Sequence, residues 1–524
     1  MRSVPVVSML EGDRWRFLSI LVLITLVFGA LFVFLPRDLV FALSVTALVA
    51  FLYFGIVAAL TQYSHVTPDW LNTAPLWTIV LVPVSFGLAL LFLFWTGASL
   101  VTAIFLLGMM FVFLYYWLIV PFAVIQKLGY HVRSQPLEEY PPISLLIPAY
   151  NEEGYLGLSL DSIEVAEYPA EVEVIVIDDG SLDGTTEEAR SHPVEATVIQ
   201  KENGGKHSAL NAGIEVAAHD IIVSVDADSW IAPDALTNLV TRLVRSPNAG
   251  AVAGNVKIGN RGSFISNLQA LEYVVGINTF RRAFDHIGLV SVVPGCLGAF
   301  RRETLEEVKG YSPDTLTEDF DLTIEILKRG QAVHMSEGVV YTAGPKSWTG
   351  LYRQRLRWFR GHVQTLLKHV HVFGDTQYGL LQRLIFPYAF LSMSLFPLLG
   401  MVIVLFIPFS VIVGEGLLMA QIAVFFFALL VLLSLIAIEI DAEKRWLILY
   451  SPLSVIGYKQ FLDLILFKAV SDVFRHRDLR WTFAGRPERL DTEVLVYDPA
   501  TRREEASEPR IREIEMEEAA TEPA

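Results

Sequence analysis

Long uncharged apolar runs stand at both ends of the chain, and a mixed pattern of apolar and polar positions separates them. The runs lie at residues 17–35, 39–60, 76–95 and 100–125, and again at 384–413 and 416–438. Each run is long enough to cross a bilayer core, which requires about 20 predominantly apolar residues. The pattern therefore predicts six membrane-spanning helices, four before the mixed region and two after it.

The mixed region, residues 126–383, alternates short apolar runs with helical segments, which is typical of an α/β domain with a mainly parallel sheet. Predicted strands at 143–147, 172–177 and 221–225 are each followed by polar side chains. Because the carboxyl ends of parallel strands open on one edge of a sheet, we expect these side chains to line a ligand-binding crevice.

The segment 446–469 is apolar but carries Lys459, Asp463 and Lys468. This composition favours an amphipathic helix that lies on the membrane surface, with a seventh membrane span as the alternative. The tail, residues 486–524, contains 12 acidic against 6 basic side chains and is predicted to be disordered.

These patterns divide the chain into five parts and suggest its orientation. The parts are residues 1–125 with four spans, 126–383 with the α/β domain and interfacial helices at its end, 384–440 with two spans, 441–485 with the interfacial helix and a following loop, and the tail at 486–524. Arginine and lysine residues flank the first run and follow the fourth, which favours a cytoplasmic amino terminus and a cytoplasmic α/β domain in a cell membrane. Six spans would keep both chain ends on that side.

Composition narrows the classes of function. Of 524 residues, 53% are hydrophobic and 18% charged, and 40 basic against 56 acidic side chains give a net charge of −16. An acidic chain without a basic stripe is not expected to bind nucleic acid. The single cysteine, Cys296, excludes an intramolecular disulfide and a metal site built from cysteines.

Two carboxylates, Asp226 and Asp228, follow the predicted strand 221–225. Carboxylate oxygens suit Mg²⁺ or Mn²⁺, which in such sites also contact the phosphates of a nucleotide. A solvated turn is the alternative interpretation. Asp179 and Tyr150 follow the other two strands. Asp179 could contact a base or ribose, or else form an Asx turn. Tyr150 could stack on the base, or else pack as an ordinary aromatic residue.

Two later segments combine charges in ways that suit a diphosphate substrate. Lys206 follows paired glycines at a predicted helix start, where a cation opposes the helix dipole but can bind a phosphate. Asp319 lies in an acidic first helical turn and is a candidate general base, although acidic residues there are also ordinary dipole partners. The sequence Gln354-Arg355-Leu356-Arg357-Trp358 contains cations that could neutralise a diphosphate leaving group and a flat ring that could stack on a sugar. The alternative is a basic amphipathic helix that rests on lipid headgroups.

Together these motifs resemble the membrane-integrated family 2 glycosyltransferases, which include hyaluronan, chitin, cellulose and poly-N-acetylglucosamine synthases. The matching segments occur in the family's order at 148–152, 178–181, 205–211, 226–228, 317–319 and 354–358. The Gln-x-x-Arg-Trp element is the most discriminating, because it marks the processive branch. The resemblance implies a Rossmann-like GT-A fold and an inverting enzyme that depends on Mg²⁺ or Mn²⁺. It also implies a UDP-sugar donor, and UDP-N-acetylglucosamine or UDP-glucose are the donors most expected.

The resemblance also implies a role for individual residues. Asp319 matches the catalytic base and Asp228, together with Asp226, the metal site. The positions that match those binding the UDP-sugar are Tyr150, Glu152, Asp179, Lys206, Asp226, Gln354 and Arg357. The positions that match those contacting the acceptor are Trp358, Cys296 and Trp481, the last in a segment that resembles a gating loop.

Three functions are compatible with a membrane protein of this kind. The first is a processive synthase that extends a β-linked polysaccharide, moves it across the membrane and contacts membrane lipids. The second is a non-processive transferase that acts on a lipid acceptor such as a polyprenyl phosphate or ceramide. The third, a transporter, is disfavoured because the six predicted spans contain no ionisable Asp, Glu, Lys or Arg.

Overall fold

The computed structural model describes residues 119–129 and 135–475, together with the single positions 22, 26, 33, 37 and 40. The first three predicted spans, the tail and Trp481 therefore lie outside the described residues, apart from those positions. The fourth predicted span is described only at its end, where helix α1 covers Ile119–Gly129. Of the described chain, residues 135–342 contain all the strands.

Eight strands form one mixed sheet in the order β3-β2-β1-β4-β7-β6-β8-β5. The strands are β1 (Ile143–Ala149), β2 (Val172–Asp178), β3 (Ala196–Gln200), β4 (Ile221–Ser224), β5 (Ser229–Ile231), β6 (Ala249–Ile258), β7 (Gly298–Arg301) and β8 (Ala332–Thr342). Strands β3, β2, β1 and β4 are parallel, whereas β7 runs antiparallel to both β4 and β6. This arrangement confirms the predicted Rossmann-like GT-A fold, with more antiparallel pairing than the sequence indicated.

Strands β1 and β4 and most of β2 are buried on both faces, which explains their near-continuous apolar sequences, whereas the edge strand β3 is more exposed. In β1, the side chains of Ile143, Leu145 and Ile147 contribute to one hydrophobic core, and Leu146 contributes to the other. Helices cover both faces, so the polar residues beyond the strand ends are left at the edge of the sheet.

The helices of the α/β domain alternate with the strands. They are α2 (Leu156–Glu164), α3 (Thr185–Ser191), α4 (Lys206–Val216), α5 (Ala235–Val244), α6 (Phe264–Glu272), α7 (Thr279–Asp285), α8 (Arg302–Val308), α9 (Glu318–Lys328) and α10 (Trp348–Lys368). A π-helix, Tyr273–Asn278, joins α6 to α7. Ser263 caps α6 and Ser347 caps α10 through their side-chain oxygens, as expected of serine at a helix start.

Two helices that are long and apolar enough to cross a membrane follow the α/β domain, at Leu381–Ile412 and Gly416–Ile440. The first combines a short π-helix with α11 (Phe386–Met393) and α12 (Leu395–Ile412), and the second is α13. They correspond to the two spans predicted after the mixed region.

The segment predicted as one surface helix, 446–469, is divided in the structure. It contains a 3-10 helix at Arg445–Tyr450, the short α14 (Ser451–Leu453) and a π-helical turn, and α15 (Lys459–Phe474) begins after the turn. The break falls at Gly457, whose φ of 93° is a conformation that glycine adopts without strain. Helix α15 packs on α10, where Arg360 forms an ion pair with the buried Asp472.

The turn that follows α13 is inserted into the α/β domain. Asp441 accepts hydrogen bonds from Asn278 (2.8 Å) and Arg282 (2.7 Å), both of them buried. Two residues on, Glu443 forms a two-point ion pair with Arg261 in which both distances are 2.6 Å. The second candidate span is thus joined to the catalytic half of the molecule by buried charges.

Candidate active site

A cleft of about 860 Å³ opens at the carboxyl ends of β1, β2 and β4. Its walls also include the start of α4, the start of α9 and one face of α10. The predicted site residues that line it are Tyr150, Glu152, Asp179, Lys206, Asp226, Asp228, Gln354 and Arg357. The structure therefore brings together side chains that are up to about 200 positions apart in the sequence, and the volume is in the range of nucleotide and cofactor pockets.

The loops after β1 and β2 hold each other in place at the entrance of this cleft. The backbone nitrogen of Asn151 donates to Ser181 Oγ (2.9 Å), and the nitrogen of Glu152 donates to Thr185 Oγ1 (2.8 Å). In return, Asn151 Oδ1 accepts a hydrogen bond from the nitrogen of Leu182 (2.8 Å). These bonds fix the positions of Tyr150 and Glu152, two of the residues predicted to contact the nucleotide.

Asp179 anchors the glycine-containing loop that precedes α4. Its carboxylate accepts hydrogen bonds from Lys201 Nζ (2.7 Å) and from the backbone nitrogens of Gly204 (3.0 Å) and Gly205 (2.7 Å). With its side chain 4% exposed, Asp179 holds this loop at the edge of the cleft. The contacts give the residue a positioning task in addition to the predicted contact with the nucleotide, which remains a prediction.

Lys206 is the first residue of α4, as the sequence predicted, and its side chain reaches into the cleft. Nζ lies 2.5 Å from Asp226 Oδ1 and 3.7 Å from Glu318 Oε1. Burial acts to lower the pKa of the ammonium, but the carboxylates of Asp226 and Glu318 more than offset it and hold that pKa above its ordinary value. Lys206 is therefore a fixed positive charge beside two carboxylates.

The lysine passes directly over the backbone of Gly295. A Cβ atom added at Gly295 would lie 2.5 Å from Lys206 Nζ and 3.5 Å from Asp226 Oδ1. Sequence reasoning selected this segment for Cys296 and missed the glycine beside it. The Gly-Cys-Leu-Gly pattern was visible, but only the structure shows which side chain comes close to the backbone there.

Asp228 and Asp226 stand one residue apart in the same cleft. Burial, followed by repulsion from Asp226, raises the pKa of the Asp228 carboxyl to about 6. Two close carboxylates of this kind are a donor set that fits Mg²⁺ or Mn²⁺, since these ions take oxygen ligands and commonly use one or two carboxylates together with substrate phosphates. Among the residues that the structure describes, no group of three or more His, Cys, Asp or Glu side chains is placed to hold a metal by itself.

The acidic first turn of α9 distributes its three carboxylates in different directions. Glu318 lines the cleft, and burial raises its pKa although the Lys206 ammonium acts in the opposite direction. Asp319 is half-buried, lies outside the cleft lining and has electrostatic interactions with both Lys206 and Arg281. Asp321 points away and accepts hydrogen bonds from Lys368 (2.8 Å) and His369 (2.9 Å), so it is committed to packing α9 against the end of α10.

The Gln-x-x-Arg-Trp element occupies the first half of α10 and presents two faces. Gln354 and Arg357, three residues apart, face the cleft. On the other side, the fully buried Arg355 donates to Glu272 Oε2 (2.7 Å) and its guanidinium lies 4.2 Å from the centre of the Trp358 ring. This cation–π contact is of the kind that fixes an aromatic ring in one orientation.

Trp358 does not line the cleft and instead packs beside Tyr273, with ring centres 6.4 Å apart. Glu272, which holds Arg355, also accepts a hydrogen bond from Tyr458 (2.5 Å). Neither Glu272 nor Tyr273 could be selected from the sequence, because no local pattern marks them and their partners lie more than 80 positions later. The acceptor-contacting role of Trp358 remains a prediction.

Cys296 is buried against the second hydrophobic core, outside the cleft lining. Burial, and after it the Asp226 carboxylate, raises the pKa of its thiol well above the ordinary value. Burial therefore favours the protonated thiol, and the predicted contact of Cys296 with an acceptor remains a prediction.

The α/β fold and its cleft are those of a glycosyltransferase-like domain, and comparison with known proteins supports this class. Residues 141–361 match the model described as glycosyltransferase like family 2. This match confirms the resemblance to family 2 glycosyltransferases that is seen in the motifs.

The curated relatives are polysaccharide synthases. The chain is 28% identical over 262 residues to a poly-β-1,6-N-acetyl-D-glucosamine synthase of Staphylococcus aureus, an alignment that covers 48% of this chain and 63% of that protein. It is 31% identical over 230 residues to the synthase of the same name from Staphylococcus epidermidis, covering 43% and 56%. The matched region thus spans less than two thirds of each relative.

Among solved structures, the chain is similar to the mannosyltransferase PcManGT from Pyrobaculum calidifontis in complex with GDP-Man and Mn²⁺. The two are 21% identical with a TM-score of 0.47, and the match covers 69% of this chain and 100% of that one.

Proposed function

We propose that this protein is a membrane-bound, inverting glycosyltransferase that extends a β-linked polysaccharide with sugar from a UDP-sugar and moves the product across the membrane. The observation that carries the proposal is the single cleft in which Lys206, the Asp226–Asp228 pair and the Gln354–Arg357 face of α10 meet. Two cations and two carboxylates around one space are the groups needed to bind a sugar diphosphate. The names of the relatives make UDP-N-acetylglucosamine the first donor to test and UDP-glucose the second.

The chemistry follows from the positions of these residues. Lys206 and Arg357 neutralise the charge that grows on the departing UDP, which is electrostatic stabilisation by preorganised donors. Asp319 accepts the proton of the acceptor hydroxyl as that oxygen attacks the anomeric carbon, and the bond from that carbon to the diphosphate breaks with its electron pair leaving on UDP. Attack from the side opposite the leaving group inverts the anomeric centre.

Asp226 and Asp228 would hold the divalent ion, Mg²⁺ or Mn²⁺. When bound, the ion supplies additional positive charge at the diphosphate. The surrounding residues bind and orient the donor: the fixed loops after β1 and β2 face the nucleotide, and Asp179 keeps the glycine loop against it.

The proposed location is the cell membrane, with the α/β domain and both chain ends in the cytoplasm. Two observations support it: the helices Leu381–Ile412 and Gly416–Ile440 can span a bilayer, and α13 continues directly into the α/β domain through Asp441. In this arrangement α10 lies between the cleft and the first of these helices, where a product would have to turn toward the membrane.

The test is a transfer assay on membranes that contain the full chain. Each UDP-sugar is supplied in turn with Mg²⁺ or Mn²⁺, and the products are sized and then digested with linkage-specific hydrolases. Long chains made from one UDP-sugar support the proposal. A product that is only a single-sugar glycolipid, whatever donor is supplied, would replace it with the lipid-acceptor transferase.

A further inference from the structure

Arg281 on α7 has a buried guanidinium nitrogen for which the described part of the chain supplies no hydrogen-bond acceptor. The atom is Nη1. In the next residue, Arg282, both terminal guanidinium nitrogens bind carboxylates, including those of Glu337 (3.0 Å) and Asp441 (2.7 Å), and only Nε is left without a partner. Leaving a buried charged donor unsatisfied costs more free energy than a typical hydrogen bond contributes, so such groups in native structures call for an explanation.

The surroundings of Arg281 place it beside the proposed reaction rather than in the structural core. Its charge interacts with Cys296, with Asp319, the proposed base, and with Tyr273. Tyr273 in turn packs beside Trp358. Arg281 therefore stands among the base and the residues that the resemblance connects with the acceptor, although it lies outside the lining of the donor cleft.

The local backbone supports a functional position for this arginine. The π-helix Tyr273–Asn278 immediately precedes α7 and displaces the following residues relative to a regular helix. Such π-helical insertions are uncommon and occur often at functional sites. Tyr273, the first residue of the π-helix, packs beside Trp358, and Arg282 on α7 binds the inserted Asp441.

We propose that Arg281 donates hydrogen bonds to oxygen atoms of the acceptor sugar, and that it thereby holds the acceptor with its reacting hydroxyl toward Asp319. The proposal rests on the function proposed above. The buried donor then finds its partner when the acceptor binds. A planar guanidinium offers several donors in a fixed geometry, which suits two neighbouring oxygens on a sugar ring.

The charges nearby favour a neutral sugar over an acidic one. Asp319 interacts electrostatically with Arg281, and Asp226 and Asp228 interact in the same way with Cys296. A uronate or phosphate at this position would be repelled by these carboxylates. A neutral hexose or N-acetylhexosamine offers oxygen acceptors without adding charge. The acceptor class that fits is therefore a neutral pyranose at the end of the growing chain.

The experiment separates acceptor binding from donor binding in the full chain purified in detergent. Initial rates are measured with UDP-N-acetylglucosamine, or with whichever donor the transfer assay identifies, while the concentration of a neutral oligosaccharide of the same sugar is varied. UDP release without acceptor is recorded in parallel. The variants are Arg281→Gln and Arg281→Lys, and the control is Arg353→Gln, which removes an exposed arginine from α10.

For Arg281→Gln we expect the KM for the oligosaccharide to rise about 10- to 100-fold, the effect of losing a hydrogen bond from a charged donor. The KM for the donor and the rate of UDP release without acceptor should stay within about twofold of wild type. Arg281→Lys keeps the charge but loses the planar guanidinium, so its KM for the oligosaccharide should lie between those of wild type and Arg281→Gln. The control Arg353→Gln should have the KM of wild type.

An unchanged oligosaccharide KM in Arg281→Gln would overturn the proposal, as would an equal loss of transfer and of UDP release. If Arg281→Gln does not fold, Arg281→Lys decides: an intermediate KM supports the proposal and a wild-type KM refutes it. A uronate-terminated oligosaccharide that is preferred only when Arg281 is present would refute the neutral-sugar assignment. Wild-type protein that transfers no sugar would overturn the proposed function instead, so the two failures are distinguishable.

Discussion

The close approach of Gly295 to Lys206 leads to a sharp prediction for the variant Gly295→Ala. The added Cβ would lie 2.5 Å from Nζ, whereas ordinary contacts begin at 3.4 Å, so the ammonium must withdraw by roughly 1 Å. That displacement strains or breaks its 2.5 Å contact with Asp226. Folding should be little affected, because the atom that has to move is the end of a flexible side chain.

The expected effect on catalysis is large for so small a substitution. A misplacement of about 1 Å in a group that positions substrate can reduce the rate about 10²-fold, which corresponds to roughly 2.7 kcal/mol in the barrier. The measurement is kcat/KM for the UDP-sugar, with the thermal unfolding midpoint recorded alongside. The matched control is Gly262→Ala, where an added Cβ meets nothing within 4 Å.

A double-mutant cycle identifies the cause of the loss. Lys206→Met should itself reduce kcat/KM, and adding Gly295→Ala to it should reduce the value little further, because the side chain that the methyl group displaces is already gone. Wild-type kcat/KM in Gly295→Ala, or fully additive losses in the double variant, would refute the argument that the glycine acts by giving Lys206 its position.

The remaining predictions concern the metal site, the base and the sugar platform. Asp228→Asn should abolish transfer, and EDTA should do so reversibly in the wild type; full activity in EDTA would remove the metal assignment. Because the pKa of Asp228 is raised to about 6, this carboxylate becomes protonated as the pH falls from 7 to 5, so activity should decline over that interval and a higher Mn²⁺ concentration should move the decline to lower pH. Asp319→Asn should lower turnover at least about 10²-fold with UDP binding retained, as measured by calorimetry, and near-normal turnover would move the base to Glu318. Trp358→Ala should shorten the products while UDP-sugar hydrolysis continues, whereas Arg357→Ala should lower both the rate of transfer and the rate of UDP-sugar hydrolysis. Equal chain lengths in the two variants would refute a platform role for the tryptophan.

Three of the four strands in the parallel half of the sheet, and the donor side of the cleft, were predictable from the sequence. Apolar runs mark β1, β2 and β4 because these strands are buried on both faces, and polar residues follow each of them at the sheet edge. Lys206 was recognisable for a similar reason, since paired glycines before a helix carrying a cation make a local pattern that needs no partner from elsewhere in the chain.

The remaining features depend on contacts between distant segments and leave no local signal. The antiparallel insertion of β7 between β4 and β6 is decided by pairing across the sheet. Arg355 looked equivalent to Arg357 in the sequence, yet one is buried against Glu272 and the other faces the cleft. The break in 446–469 was likewise missed, because a glycine inside an apolar run is compatible with a continuous helix until its backbone conformation is known.

The turn after α13 has a consequence for how the enzyme can move. A hinge between the catalytic half and the second candidate span would have to separate Asp441 from Arg282 and Glu443 from Arg261. Removing one partner of a buried ion pair costs about 3–5 kcal/mol, and because a hinge motion would have to break both pairs, a swung-out state is expected to be sparsely populated. The catalytic cleft therefore keeps a constant height and angle relative to α13. In the proposed synthesis, the growing sugar chain would then advance past a cleft that stays fixed relative to α13.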